Sequence, residues 1–138
     1  MIHTVWGTKN RFPYLIKDIR LQVMDHIHEN AHNKQIFIDR LSGYTDHLHC
    51  LLGLNADMSI SKTMQLLKGE SANWINKQKL TKLKFEWADE YFAVSVSESM
   101  LDKVRTYIDG QEEHHKKMSF NEEYEKFLSQ YHFNNSAL

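Results

Sequence analysis

The sequence predicts an α+β fold with the element order β-α-β-β-α-β, followed by two C-terminal helices. Three observations carry this. Short runs rich in β-branched and aromatic residues alternate with stretches whose apolar residues recur every three or four positions. One proline and five glycines leave no linker, repeat or low-complexity tract to divide the chain, so residues 1–138 are expected to form a single domain. Two Ser-x-x-acid pairs, Ser99 with Asp102 and Ser119 with Glu122, mark helix starts in the last third.

Ile2 to Thr8 reads as the first strand, with Val5 and Trp6 typical of one, and residues 9–13 as a loop. Ile19, Val23 and Ile27 recur at spacing four and predict an amphipathic helix from about Lys17 to His32. Ile36-Phe37-Ile38 opens a second strand. Gly43 lies near a turn, and a third strand follows, ending near Leu54. Ser59 suits an N-cap for a helix with the inner stripe Ile60, Met64, Leu67, Ser71 and Ile75. A short polar, lysine-rich loop leads to a fourth strand, Glu90 to Ser97, with Phe92, Val94 and Val96 on one face. The Ser99 helix carries the stripe Leu101, Val104, Ile108 and Gln111; the Ser119 helix carries Phe120, Tyr124, Phe127 and Leu128. This order is the ferredoxin-like one: an antiparallel sheet with helices on one face and the other face free for a site.

Composition narrows the class. Hydrophobic residues make up 41% and charged residues 25%, as in soluble globular proteins. The formal net charge of −1 speaks against a general nucleic-acid coat protein and leaves a local basic groove open. The single cysteine, Cys50, excludes an internal disulfide and suits a reducing compartment. No apolar run approaches bilayer length, and the N-terminus lacks the basic-then-apolar layout of a signal peptide. A cytoplasmic location with no membrane partner is the expectation.

The most informative stretch is Asp46-His47-Leu48-His49-Cys50. Side chains alternate along a strand, so His47 and His49 share one face while Leu48, Cys50 and Leu52 take the other. Two imidazoles side by side on a rigid strand make half of a metal site. Downstream, Tyr107 and Gln111 stand four apart in a helical context and therefore on one helical face. Each signal also has a plain structural reading. Two histidines can sit on a solvated sheet face, a tyrosine beside an apolar stripe usually packs at the core edge, and Gln111 suits a surface. Phe120, Tyr124 and Phe127 suit packing better than base stacking. Residues 112–117 suit a solvated helical face better than one placing His115 beside a metal, and Asp46 suits a turn better than support of a histidine.

Together the signals are stronger. Two imidazoles and an amide oxygen leave open positions on an octahedral divalent ion, which can take phosphodiester oxygens and polarise phosphorus. Mg²⁺ keeps such positions open, and imidazole also suits Mn²⁺. Tyr107 would then attack phosphorus. Its unperturbed pKa near 10 calls for help, which a nearby cation supplies.

Four segments in order carry a family resemblance: Val5-Trp6-Gly7-Thr8-Lys9-Asn10-Arg11; Asp46-His47-Leu48-His49; Met64-Gln65-Leu66-Leu67-Lys68-Gly69-Glu70-Ser71; and Tyr91-Phe92-Ala93-Val94-Ser95-Val96 leading to Tyr107-Ile108-Asp109-Gly110-Gln111. Together they resemble the single-tyrosine HUH (histidine, hydrophobic, histidine) transposases of small insertion sequences, also called transposase A or REP-associated tyrosine transposases. The resemblance implies a metal-dependent endonuclease and strand transferase for single-stranded DNA that recognises hairpins near element ends. It implies Tyr107 as the nucleophile holding a 5′-phosphotyrosine, and His47, His49 and Gln111 as ligands of Mg²⁺ or Mn²⁺. It further implies a homodimer in which the Tyr107 helix completes the partner's site, and nucleoid association while acting on DNA. Lys9, Arg11, Lys62 and Lys68 are candidate phosphate contacts.

The alternative from another class is a domesticated relative that binds hairpin DNA without transposing it. The intact set His47, His49, Tyr107 and Gln111 argues against it, since a binding module has no need of a nucleophile. A ferredoxin-like RNA-binding module would stack bases on sheet aromatics, where this chain carries histidines. A phosphoesterase of the repeated two-histidine type would need a second His-x-His pair on a strand, and the other such pair, His26-Ile27-His28, falls in the predicted helix.

Overall fold

The computed structural model describes residues 1–115 and 118–130, without the side chains of Phe127, Leu128 and Gln130. The expected contributions of Phe127 and Leu128 to the last helix therefore lie outside the described residues. The elements run β1 (Ile2–Gly7), α1 (Lys17–Asn33), β2 (Phe37–Tyr44), β3 (His47–Gly53), α2 (Ile60–Gln78), β4 (Phe92–Ser95), α3 (Leu101–Asp109), α4 (Gln111–His115) and α5 (Phe120–Gln130). The sheet order is β2-β3-β1-β4, with every neighbouring pair antiparallel. This is the expected α+β ferredoxin-like arrangement.

Alternation along the strands builds a core on each face. On one face Trp6, Leu48, Cys50 and Leu52 meet Val23 and Ile27 of α1 and Met64, Leu67 and Ile75 of α2. Ser59 caps α2 as expected: the Lys62 N–H donates to Ser59 Oγ at 3.0 Å. Ser71 belongs in the apolar stripe because its hydroxyl is satisfied there. It donates to Leu67 O at 2.6 Å and accepts from the Trp87 indole N–H at 2.9 Å.

The segment before β4 departs from the expected polar loop. Phe85 and Trp87 are buried in the main core with ring centroids 4.7 Å apart. Asn76 holds that backbone, accepting from the Phe85 N–H at 2.8 Å and donating to Phe85 O at 3.0 Å. The segment has no regular period, so charged neighbours masked its two anchors.

The other face is covered by α3, α4 and α5, with Val5, Phe92 and Phe120 as a small second core. β4 is shorter than expected, although the Val96 N–H still reaches Met1 O at 2.9 Å. The Ser99–Asp102 cap does not form. A 3₁₀ turn, Glu98–Met100, leads into α3 without a side-chain cap. Ser99 Oγ lies 3.2 Å from Ser97 Oγ, and the Asp102 carboxylate accepts from Arg105 at 3.0 Å instead. The Ser119 cap does form, with the Glu122 N–H donating to Ser119 Oγ at 3.2 Å. The first C-terminal helix is interrupted at Gly110, which separates α3 from α4.

Two ion pairs fix these helices. The Arg105 guanidinium forks onto Asp39 of β2 at 2.8 and 2.9 Å, tying down α3. Buried Arg20 of α1 reaches Glu112 of α4 at 2.6 Å. Among the described residues no helix is long and apolar enough to cross a membrane.

Candidate metal centre and nucleophile

β3 turns His47 and His49 toward the face covered by the C-terminal helices. Register places His47 opposite Gly7 of β1 and Tyr44 of β2, and His49 opposite Val5 and Ser42. Both histidines are fully buried. Gly7 matters because it has no side chain. A Cβ there would lie 2.7 Å from Phe120 Cε2, so glycine lets the Phe120 ring lie flat on His47, with centroids 4.1 Å apart and planes 3° apart. The same ring underlies the Arg11 guanidinium, 4.6 Å from its centroid.

Each histidine is held from behind. His47 Nδ1 is 2.9 Å from Asp46 Oδ1, and His49 Nδ1 is 2.9 Å from His3 Nε2. Asp46 therefore supports a histidine as well as standing at the β2–β3 turn, a correction to the turn-only reading. His3 had no sequence signal beyond its place in β1. It shares the face because it stands two residues before Val5.

Gln111 is fully buried, with Oε1 3.1 Å from His47 Nε2. Tyr107, one turn earlier, sits edge-on to His49 with ring centroids 5.6 Å apart. Its hydroxyl donates to Glu123 Oε2 of α5. Burial pushes the Tyr107 phenol above its ordinary pKa, and the hydrogen bond and charge of Glu123 push it further.

Glu123 is the residue the sequence did not disclose. It is buried at 1% exposure, and its Oε1 lies 2.9 Å from His49 Nε2, 3.3 Å from His115 Nε2 and 3.5 Å from His47 Nε2. His114 Nε2 is 3.1 Å from its other oxygen. Burial alone would raise the Glu123 carboxyl, but His115, His49 and the Tyr107 hydroxyl hold it well below the usual carboxylate range. Burial outweighs the Glu123 charge at the neighbouring imidazoles, lowering His49 to about 3 and His3 to about 4. Both are therefore neutral near pH 7, as a ligand must be. His115 is not on a solvated face: its side chain is 1% exposed and its ring stacks against Tyr44.

A divalent ion fits this donor set. Ligand atoms of His47, His49, His115 and Glu123 all lie within 4.8 Å of one another. Three imidazoles with a carboxylate suit transition ions such as Mn²⁺ or Zn²⁺.

The candidate phosphate contacts are scattered. Arg11 lies beside the site, its Nε–H donating to Asn121 Oδ1 at 3.1 Å. Lys9 pairs with Glu86 at 3.0 Å, and Lys68 donates to Ala88 O and Asp89 O at 2.7 and 2.9 Å. Lys62 is exposed on the first turn of α2, with α2 on the opposite face of the sheet. The Tyr107 helix, expected to reach a partner's site, here packs over the sheet of its own chain.

Comparison with protein families decides the identity. The model of the family "Transposase IS200 like" matches residues 1–111. The chain belongs to the IS200-like transposase family. That match runs from β1 through Gln111 and includes His47, His49, Tyr107 and Gln111, whereas His115 and Glu123 lie beyond it. No curated protein matches this IS200-like chain significantly. Among solved structures, a candidate transposase from Deinococcus radiodurans is 25% identical, with TM-score 0.64, covering 80% of this chain and 88% of that one. A REP-associated tyrosine transposase bound to a REP hairpin is 14% identical, with TM-score 0.61, covering 86% of this chain and 68% of that one; it shares the fold.

Proposed function

We propose that this IS200-like transposase is a metal-dependent, single-strand-specific DNA endonuclease and strand transferase with Tyr107 as nucleophile. One observation carries the reading: Tyr107, His47, His49 and Gln111, from β3 and two helices, meet on the face of the sheet opposite α1 and α2. The REP hairpin on the neighbouring structure supports hairpin DNA as substrate.

In the proposed reaction Tyr107 Oη attacks a phosphodiester phosphorus and the bond from phosphorus to the 3′-oxygen breaks. The tyrosine keeps the 5′-phosphate, and the released 3′-oxygen takes up a proton. A later 3′-hydroxyl attacks that phosphorus, restores the phosphodiester and frees the phenol. His47, His49 and Gln111 would hold Mg²⁺ or Mn²⁺. Bound there, the ion supplies Lewis-acid polarisation of the phosphoryl group. Glu123 Oε2 accepts the phenolic hydrogen at rest and keeps Tyr107 aimed at the histidines. Within the proposed homodimer the Tyr107 helix completes the partner's site.

The test is cleavage of single-stranded hairpin DNA from the flanks of the chain's own gene. Wild type with Mg²⁺ or Mn²⁺ should nick the single strand and spare the duplex, and His47→Ala or chelator should abolish nicking. Full cleavage by His47→Ala under chelation would overturn the metal claim. Hairpin binding without cleavage under any divalent ion would favour the domesticated DNA binder.

A further inference from the structure

The structure assigns His115 and Glu123, with His47 and His49, to one transition-metal site that ties the C-terminal helices to the sheet. The inference rests on the metal reading of His47 and His49 and concerns the DNA-free site, in which His115 and Glu123, from α4 and α5, stand where the substrate phosphate would later reach the ion.

The argument begins with where the ring protons are. His47 Nδ1 lies 2.9 Å from a carboxylate oxygen of Asp46, and His115 Nδ1 lies 2.6 Å from the Met118 carbonyl. Both partners only accept, so each Nδ1 carries the hydrogen. In the neutral form, the one that binds a metal, the Nε2 atom of each ring is then a lone pair. Those lone pairs face oxygens that also only accept: Glu123 Oε1 at 3.5 and 3.3 Å, and for His47 also Gln111 Oε1 at 3.1 Å. His115 Nε2 is buried and faces Glu123 Oε1 at 3.3 Å. His49 Nε2 approaches the same carboxylate oxygen at 2.9 Å. Among the described residues the ion-pair partners of Glu123 are histidines alone. Buried lone pairs aimed at one another are costly unless a proton or a metal ion lies between them, and one carboxylate oxygen shared by three imidazoles suits a single metal ion.

The spacing suits that cation. A tetrahedral ion with ligands at about 2.0–2.1 Å has edges of about 3.3–3.4 Å between ligand atoms. The three edges from Glu123 Oε1 are 2.9, 3.3 and 3.5 Å. Three imidazole nitrogens and one carboxylate oxygen match Zn²⁺, Co²⁺ or Mn²⁺ better than Mg²⁺, which prefers oxygen and water. The site joins β3 to α4 and α5, so its occupancy also fixes the wall against which Tyr107 rests.

The test titrates the metal-free full chain with Co²⁺, read by visible absorption, and with Zn²⁺, read by competition with a chromophoric chelator. Melting temperature is followed in parallel. Wild type should bind one equivalent of Co²⁺ with the intense absorption of a four-coordinate ion and melt at a higher temperature when loaded. Glu123→Gln and His115→Ala should each lose about tenfold or more in affinity, weaken the absorption and shrink the melting shift. Glu123→Asp keeps the charge with a shorter reach and should fall between wild type and Glu123→Gln, a readout that survives if Glu123→Gln folds poorly. If both substitutions bind like wild type while His47→Ala does not, the two added ligands are wrong and the family-type site stands. If His47→Ala also binds like wild type, the metal reading beneath this inference falls as well.

Discussion

Gly7→Ala isolates how the backbone makes room over His47. The new Cβ would stand 2.7 Å from Phe120 Cε2, and 3.3 Å from both Arg11 Nη1 and the Asp46 carbonyl. Carbon atoms settle at about 3.5–4.0 Å, so the Phe120 ring must retreat by roughly 1 Å. Overpacking of this kind costs about 1–3 kcal/mol. Stiffening the unfolded chain returns about 0.4–1 kcal/mol. The net loss is about 0.5–2 kcal/mol, or roughly 2–8 °C in melting temperature for a domain of this size. The assay is a thermal melt of the metal-free protein as a double-mutant cycle with Phe120→Ala. Removing the ring should relieve most of the penalty, leaving less than about half of it as the two weaker contacts. An equal penalty from Gly7→Ala with and without Phe120 would refute the reasoning.

Four further outcomes follow from the same geometry. Burial holds His49 at about 3 and His3 at about 4, against 6.5 for a free histidine. The unfolded chain therefore takes protons that the folded one refuses. Metal-free stability should be full above pH 6.5 and fall toward pH 4 by up to about 1.4 kcal/mol per pH unit for each group. Urea melts with chelator check this, and equal stability at pH 7 and pH 5 would contradict it. Arg105→Ala should slow Tyr107 adduct formation without changing Co²⁺ affinity, because it loosens α3 and not the ligands; Asp39→Ala should match it, and the pair should add nothing. Arg11→Ala should weaken hairpin binding and reduce the salt slope by about one, as for loss of one phosphate contact. Mixing His47→Ala with Tyr107→Phe protein should restore cleavage if the Tyr107 helix completes the partner's site, whereas no recovery of activity would place the tyrosine in cis.

The regular elements were legible because their periods are. The stripe Met64, Leu67, Ser71 and Ile75 and the alternation through His47 to Leu52 each mark a buried face without tertiary knowledge. Spacing, two along a strand and four along a helix, put His47 with His49 and Tyr107 with Gln111 on shared faces, while the link between the two pairs came from the family resemblance. Gln111 ends buried beside His47. Phe85 and Trp87 were hidden because irregular backbone has no period to betray a buried face. Glu123 was hidden for another reason. It lies on α5 in a run of charged residues, and its carboxylate faces inward on the helix that also packs Phe120 on His47. His3 and Asp46 act through contacts with His49 and His47, and such pairings need the sheet register and the turn geometry.

The central claim is a covalent bond between Tyr107 and DNA. The direct measurement is mass spectrometry of protease digests after incubation with single-stranded hairpin DNA and Mn²⁺. The account predicts a 5′-phosphonucleotide on the Tyr107 peptide, absent with chelator and absent in Tyr107→Phe. Cleaved DNA with an unmodified Tyr107 peptide, or an adduct that persists in Tyr107→Phe, would contradict it.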